Sequence, residues 1–428
     1  MQGKALPGFR EFYPDDTALR NHIFAIWRSV AARYGFEEYD GPPLEPLELY
    51  TQKSGAEIVG QLYAFTDKGE REVALRPEMT PTLARMVGAR AQALKKPIRW
   101  FAIPQLFRYE RQQRGRLREH FQLNMDIIGE AGALADAELI AAAVDVLRAG
   151  GLSARDVRAR VSDRRVLQAL LEGVGVAGSQ LDAAYAAIDR SERVPREALA
   201  EGLQAAGCSR QAIEGIFRVA GLRGLASVTA ELAAIGKADV GAPLVEVHDA
   251  LQSMGLGEFI EVDLSIVRGL AYYTGTVFEL FDAAKTLRAI CGGGRYDGLL
   301  KSLGGVDLPA LGFGMGDVVL GELLQEHGVA PKPAARLDGF LIAVGVDDCA
   351  SVLKLAHELR DAGLAVEYSL KPQAVRKQLE LAAARAAPRA VIIGPTERQA
   401  GTAVVRDLGG GVERAVPLAA VRSELQGS

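Results

Sequence analysis

Cysteine is scarce, with three residues in 428, and Cys208, Cys291 and Cys349 stand far apart. An odd number at such spacing gives neither a disulfide framework nor a zinc knuckle, and it suits a reducing compartment. Five histidines (His22, His120, His248, His327 and His357) never approach one another at metal-ligand spacing, so no protein-held metal is expected. No long uncharged apolar run of the kind that spans a membrane occurs, and Met1 to Gly8 lacks the apolar core of a signal segment. A cytoplasmic protein without membrane association is therefore the expectation. Neither a P-loop nor a Rossmann glycine fingerprint is present. Neither sign of charge dominates: the formal net charge of −4 argues against a protein that coats nucleic acid by bulk positive charge. It leaves room for a focused basic surface, such as Lys95, Lys96, Arg99 and the stretch Arg111 to Arg118.

Set against these absences is an ordinary globular composition, 49% hydrophobic and 24% charged, long enough for two or three domains. The most informative segment is an expected antiparallel hairpin. Ile98 to Ile103 leads in, Phe121 to Ile128 leads out, and a polar tip carrying Gly115 lies between. Side chains two apart share a strand face, so Gln122, Asn124 and Asp126 line one side while Leu123, Met125 and Ile127 occupy the other. Such a sheet makes a floor for a small polar ligand, with Arg108 beside it as a phosphate or carboxylate clamp. The same pattern also suits an amphipathic hairpin with one solvated face.

Helical spacing over Asp16 to Tyr34 stops at Gly35, Pro81 to Ala91 reads as helix, and Ala133 to Leu152 reads as an amphipathic helix ended by Gly150-Gly151. Ala64 to Gly69 marks a turn between two strands. From Asp163 to Glu258 alanine- and leucine-rich periods predict a helical insertion. Strands return at Phe259 to Asp263 and Thr276 to Leu280, before the cluster Gly292-Gly293-Gly294. Because strands and helices do not alternate here, an antiparallel sheet with packed helices is expected, an α+β fold. Val329 to Arg336 reads as a linker. Beyond it Phe340 to Val344, Ala365 to Tyr368 and Ala390 to Gly394 alternate with two helices, as a compact α/β domain of about 90 residues. The expected division is 1–162, 163–258, 259–327, 328–337 and 338–428.

Three further segments have two readings each. Thr80 after Arg76-Pro77-Glu78 either caps a helix, with Glu78 as a first-turn acid, or faces a ligand. Arg268 to Tyr273 is a surface charge with buried aromatics or a ligand loop, and Gly292 to Gly294 is a bulged turn or a close backbone approach.

Taken in order, Arg76-Pro77-Glu78, Phe107-Arg108-Tyr109-Glu110, Arg268 to Tyr273, Gly292 to Asp297 and Gly312 to Gly316 resemble the histidyl-tRNA synthetases over almost the whole chain. The stretch from Tyr34 to Pro43 is similar to that family's first class II motif, the Arg108 hairpin to its second and Gly312 to Leu320 to its third. The resemblance implies a class II catalytic sheet, a homodimer built around the first motif, a C-terminal anticodon-binding domain, and ATP- and Mg²⁺-dependent attachment of L-histidine to its tRNA. It assigns Glu78, Thr80 and Gln122 to the substrate ammonium, Asp126 and Tyr273 to the imidazole, and Tyr272 and Tyr296 to the pocket wall. Arg108 and Arg268 become the catalytic cations, on the α-phosphate and the substrate carboxylate. Arg108, Arg116, Arg118, Gly293 and Gly294 become nucleotide contacts, and Mg²⁺ arrives on the triphosphate.

Three departures stand out. The third motif commonly ends Gly-Leu-Glu-Arg, with the arginine on the γ-phosphate, but here it reads Gly316-Asp317-Val318-Val319. Ala271 stands where an aspartate is usual, and Asp126 replaces a glutamate. Either another cation, from Arg114, Arg116 or Arg118, holds the γ-phosphate, or the chain has lost aminoacylation; the intact amino-acid pocket favours the former. A different class of function, a non-catalytic histidine sensor resembling the regulatory subunit of ATP phosphoribosyltransferase, would have little use for the terminal domain. In a synthetase, Lys371, Arg376 and Lys377 of that domain would contact RNA.

Overall fold

The computed structural model describes every residue except 1, 2, 4, 52–58, 111–114, 116, 268–272, 285, 286, 332–336 and 428. The chain separates into two compact units, residues 1–331 and 332–428.

The first unit is organised by a nine-stranded sheet. Its strands are β1 (Glu37–Glu38), β5 (Ile98–Ala102), β6 (Gln105–Phe107), β7 (Glu119–Ile128), β8 (Val157–Asp163), β9 (Ile260–Val262), β10 (Thr276–Asp282), β11 (Cys291–Arg295) and β12 (Ala310–Gly316). They run in the order β1-β5-β7-β12-β11-β10-β8-β9, with β6 also on β7. A separate three-stranded antiparallel sheet is formed by β2 (Leu44–Pro46), β3 (Tyr63–Thr66) and β4 (Glu72–Leu75). The large sheet is antiparallel through its middle, but the short edge pairs β1/β5 and β8/β9 are parallel, so it is mixed. Strands of two or three residues carry no side-chain period, which is why their direction was not readable.

The incoming arm of the hairpin is two strands, because Ile103 and Pro104 interrupt it; both halves keep one register on β7, from Ile98↔Ile128 to Phe107↔Glu119. Leu123, Met125 and Ile127 are each at most 1% exposed and belong to the main core. Against that face packs the helix Ala133–Ala149, whose many alanines let it lie close to the sheet and which is buried along most of its length. The helix Pro14–Arg33 begins with proline and two acids, as a helix N-terminus favours, and buries Ile23, Ile26, Trp27, Val30 and Ala31 at helical spacing. Helices fill residues 164–253 between β8 and β9, which pair with each other, so the insertion leaves and re-enters the sheet at one edge. Strand β8 itself was not expected. Val157, Ala159 and Val161 alternate with Arg158, Arg160 and Ser162 at the strand period, yet nearly every position is buried: Arg160 is 5% exposed and meets Asp263, Glu261 and Glu192.

The second unit has the strand order β14-β13-β15-β16-β17, with β13 (Gly339–Ala343), β14 (Val366–Tyr368) and β15 (Arg389–Ile393) parallel. Two further strands, β16 (Thr402–Asp407) and β17 (Glu413–Pro417), extend it antiparallel. Charged residues on both hid them from a reading of hydrophobic runs. Among the described residues, no helix is long and apolar enough to cross a membrane.

Candidate active site

Register determines what faces the ligand side of the large sheet. Asp126 lies opposite Gly312 and Asn124 opposite Gly314. Gly312 lies in turn opposite Gly294, and Gly314 opposite Gly292. Four glycines at period two therefore pave a strip of bare backbone, with Gln122, Asn124 and Asp126 along one side. Bulk is excluded there: a Cβ on Gly312 would come within 1.9 Å of an Asp126 carboxylate oxygen, and one on Gly314 within 2.8 Å of the Gln122 amide. The packed face is anchored by Arg295, which is 3% exposed and bonds Asp136 and the carbonyl oxygens of Glu130 and Gly132.

The loop before the helix Thr80–Arg90 is held over this floor by Arg76. Its guanidinium donates to the Gln105 carbonyl at 3.0 Å and to Asp40 and the Gly41 carbonyl, each at 2.7 Å. The Arg76 carbonyl receives the Phe107 N–H at 3.0 Å, and the Arg108 guanidinium donates to the Pro77 carbonyl at 2.8 Å. Glu78 and Arg108 are thereby brought to one side of the sheet. The capping reading of Thr80 does not hold, because Met79 occupies the N-cap position and no side chain caps the helix.

Two cavities open on the floor. The smaller, about 200 Å³, is lined by Glu78, Thr80, Asn124, Asp126, Tyr273 and Tyr296 together with Phe313 and Gly312. It lies below the roughly 300–1,000 Å³ of a typical drug-sized site, as a single amino acid requires. The larger, about 670 Å³, is bounded by Glu110, His120, Glu279, Arg288 and Val319 among others. Arg108, Gln122, Gly292 and Gly314 line both, so they share a wall.

Electrostatics differ between the two. Asp126 is 5% exposed, and burial pushes its pKa up to about 7, opposed by the hydroxyl that Tyr296 donates to it. The carboxyl is thus poised to change charge near neutrality, beside a hydroxyl that fixes its orientation. Nearby, burial holds the Tyr39 phenol well above its usual range, with the charge of Asp126 adding to it. On the larger cavity, burial and the charges of Arg108 and Arg10 push the His120 pKa down to about 3, leaving a neutral ring at neutral pH. Among the described residues no group of three or more His, Cys, Asp or Glu is placed to hold a metal ion.

Of the residues singled out from sequence, Glu78, Thr80, Arg108, Gln122, Asp126, Tyr273 and Tyr296 meet at the smaller cavity. Arg268, Tyr272 and Arg116 lie outside the described residues, as do Ala271 and Arg114. Arg118 lines neither cavity; its guanidinium sits 4.0 Å over the Tyr109 ring and reaches the Glu110 and Pro7 carbonyls. Gly293 has its open side on the packed face, where a Cβ would meet Phe313 at 2.5 Å, and Gly292 lines the cavities instead. Gly294 belongs to the paved strip but is hemmed in by Thr276, Val277 and Tyr273. Sequence reasoning missed Arg288, Glu279 and His120. The alternating glycines of β11 and β12 were a usable signal for the floor.

The sequence profile described as histidyl-tRNA synthetase matches residues 8–316, and that described as anticodon binding domain matches residues 340–428. The chain is 47% identical over 418 residues to the histidine–tRNA ligase of Opitutus terrae, covering 97% of this chain and 96% of that protein. Its fold is similar to the crystal structure of histidyl-tRNA synthetase from Nostoc sp. PCC 7120, with a TM-score of 0.85 at 24% identity, over 100% of this chain and 99% of that one. It is also similar to a structure from Bacillus halodurans described as an ATP phosphoribosyltransferase regulatory subunit/histidyl-tRNA synthetase, with a TM-score of 0.77 at 22% identity over 92% and 99%. At those identities the structural likenesses speak for fold alone.

Proposed function

Because this chain belongs to the histidyl-tRNA synthetase family, we propose that it activates L-histidine with ATP and transfers it to the 3′ end of tRNA(His). The observation that carries the reading is the shared wall: one arginine, Arg108, borders both an amino-acid-sized pocket and a larger, nucleotide-sized cavity. In this reading Glu78, Thr80 and Gln122 take the substrate ammonium, and Asp126 takes an imidazole N–H with Tyr273 and Tyr296 beside it. Tyr272, outside the described residues, is assigned to histidine binding by family likeness. An imidazole presents a donor and an acceptor, so a wrong, apolar side chain would leave these buried polar groups unpaired.

A carboxylate oxygen of histidine bonds to the α-phosphorus, the bond from that phosphorus to the oxygen bridging to the β-phosphate breaks, and pyrophosphate leaves. A ribose hydroxyl of the terminal tRNA nucleotide then bonds to the acyl carbon, the bond from that carbon to the phosphate-bound oxygen breaks, and AMP departs, its phosphate taking up the proton of the hydroxyl. Two anions must approach in the first step, so fixed cations matching the charge of the transition state carry most of the catalysis. We assign this to Arg108 and, by family likeness, Arg268. Mg²⁺ on the triphosphate supplies further charge neutralisation when bound, and Glu110 and Glu279 offer the oxygen donors that a hard cation takes. The first step requires no acid–base residue, because the attacking carboxylate is already ionised.

The same reading makes residues 1–162 and 259–327 the catalytic core, 163–258 an insertion, 328–337 a linker and 338–428 the anticodon module. It makes the active form a cytoplasmic homodimer joined near the exposed edge strand β1. The sensor alternative is disfavoured by the near-complete match to a histidine–tRNA ligase and by the anticodon-binding profile. Charging of a tRNA(His) transcript with labelled histidine, ATP and Mg²⁺ tests the proposal. A folded protein that binds histidine but charges no tRNA would exclude it.

A further inference from the structure

A bound triphosphate needs cations at its far end as well as at the reacting phosphorus, and Arg108 stands only at the junction of the two cavities. The third-motif position that could serve is occupied by Val319, which is 8% exposed and apolar. Among the described residues, two other arginines line the larger cavity, Arg193 and Arg288. Arg193 is carried by the helical insertion and bonds the Asp189 carboxylate and carbonyl, each at 3.0 Å.

Arg288 is carried by the catalytic sheet itself, in the loop between β10 and β11. Its backbone is fixed on both sides: the Leu287 N–H donates to Asp282 at 3.1 Å, and the Ile290 N–H donates to the Leu280 carbonyl at 2.8 Å. Its stem lies at the wall formed by Gly115 and Val319, where a Cβ on Gly115 would stand 3.3 Å from a Val319 methyl and 3.8 Å from the Arg288 Cδ. Val318 lines the same cavity. An arginine whose backbone is pinned beside a strand pair, and which lines a nucleotide-sized cavity next to Gly115 and Val319, has the chemistry to meet phosphate oxygens.

We propose that Arg288 binds the terminal phosphates of ATP, supplying from the β10–β11 loop the cation that the valine at 319 cannot. This rests on the nucleotide reading of the larger cavity. It assigns Arg288 to nucleotide binding and leaves the amino-acid pocket untouched.

The test compares ATP with AMP as titrants of the full-length protein, by calorimetry, in wild type, Arg288→Ala and Arg288→Ala combined with Val319→Arg. Charge-assisted phosphate bonds of ordinary strength predict that Arg288→Ala weakens ATP binding by about 10- to 100-fold. AMP and histidine affinities stay within about twofold, which also reports an intact fold, and Val319→Arg recovers part of the ATP affinity. Equal losses for ATP and AMP, or wild-type ATP affinity in Arg288→Ala, would overturn the assignment. Wild-type protein that binds histidine and no ATP would instead remove the synthetase reading, whatever Arg288 does.

Discussion

Replacing Asp126 by asparagine should make the protein more stable and less active at once. Burial raises this carboxyl from the ordinary 3.8 to about 7. The folded state therefore holds the proton more tightly than the unfolded one, and stability contributed here falls as pH rises through the interval between those values. Above pH 7 the full penalty is present: about three pKa steps at ~1.36 kcal/mol each, on the order of 4 kcal/mol. At pH 5 the unfolded carboxyl is already ionised and the folded one still protonated, so only roughly 1.5–2 kcal/mol has been lost. Asparagine keeps the shape and can still accept the Tyr296 hydroxyl without carrying the penalty. Urea denaturation should show Asp126→Asn gaining stability, by about 2–3 kcal/mol more at pH 8 than at pH 5. The charge-assisted bond to the imidazole is lost in the same variant, so kcat/KM for histidine should fall by roughly 10- to 100-fold. A gain that does not depend on pH, or unchanged use of histidine, would refute both the buried ionisation and its role.

Two other perturbations follow from the geometry. Gly312→Ala would place a methyl on the Asp126 carboxylate; a loss of about 1–3 kcal/mol in denaturant unfolding and at least a tenfold rise in the histidine KM are expected, and a neutral outcome would contradict the paved floor. Lys371→Glu with Lys377→Glu, in the unit matched to anticodon binding, should raise the KM for tRNA severalfold and flatten its salt dependence while leaving adenylate formation within twofold; equal losses in both steps would contradict a separate RNA-binding role.

The alternation Gln122-Leu123-Asn124-Met125-Asp126 was legible because strand period two sorts polar from apolar residues directly. It yielded the floor, the core side and the hairpin together. Strand β8 carries the same period in Val157, Ala159 and Val161 and was passed over; what no local pattern displays is that its Arg160 is buried by partners from β9 and the insertion. Thr80 misled for a related reason: its side chain has the chemistry of a cap, and only the Arg76 anchoring of the preceding loop turns it toward the cavity. Arg288 left no signal because one arginine in a loop looks like any solvated charge. Its meaning comes from the wall beside it, formed by residues distant in sequence.

In the proposed reaction one pair of connected cavities brings a histidine carboxylate to the α-phosphate of ATP. Exchange of labelled pyrophosphate into ATP, without tRNA and across the twenty amino acids, reads that step alone. Exchange is expected with histidine and none above background with the others. Histidine binding without exchange, or exchange driven equally by an apolar amino acid, would contradict it.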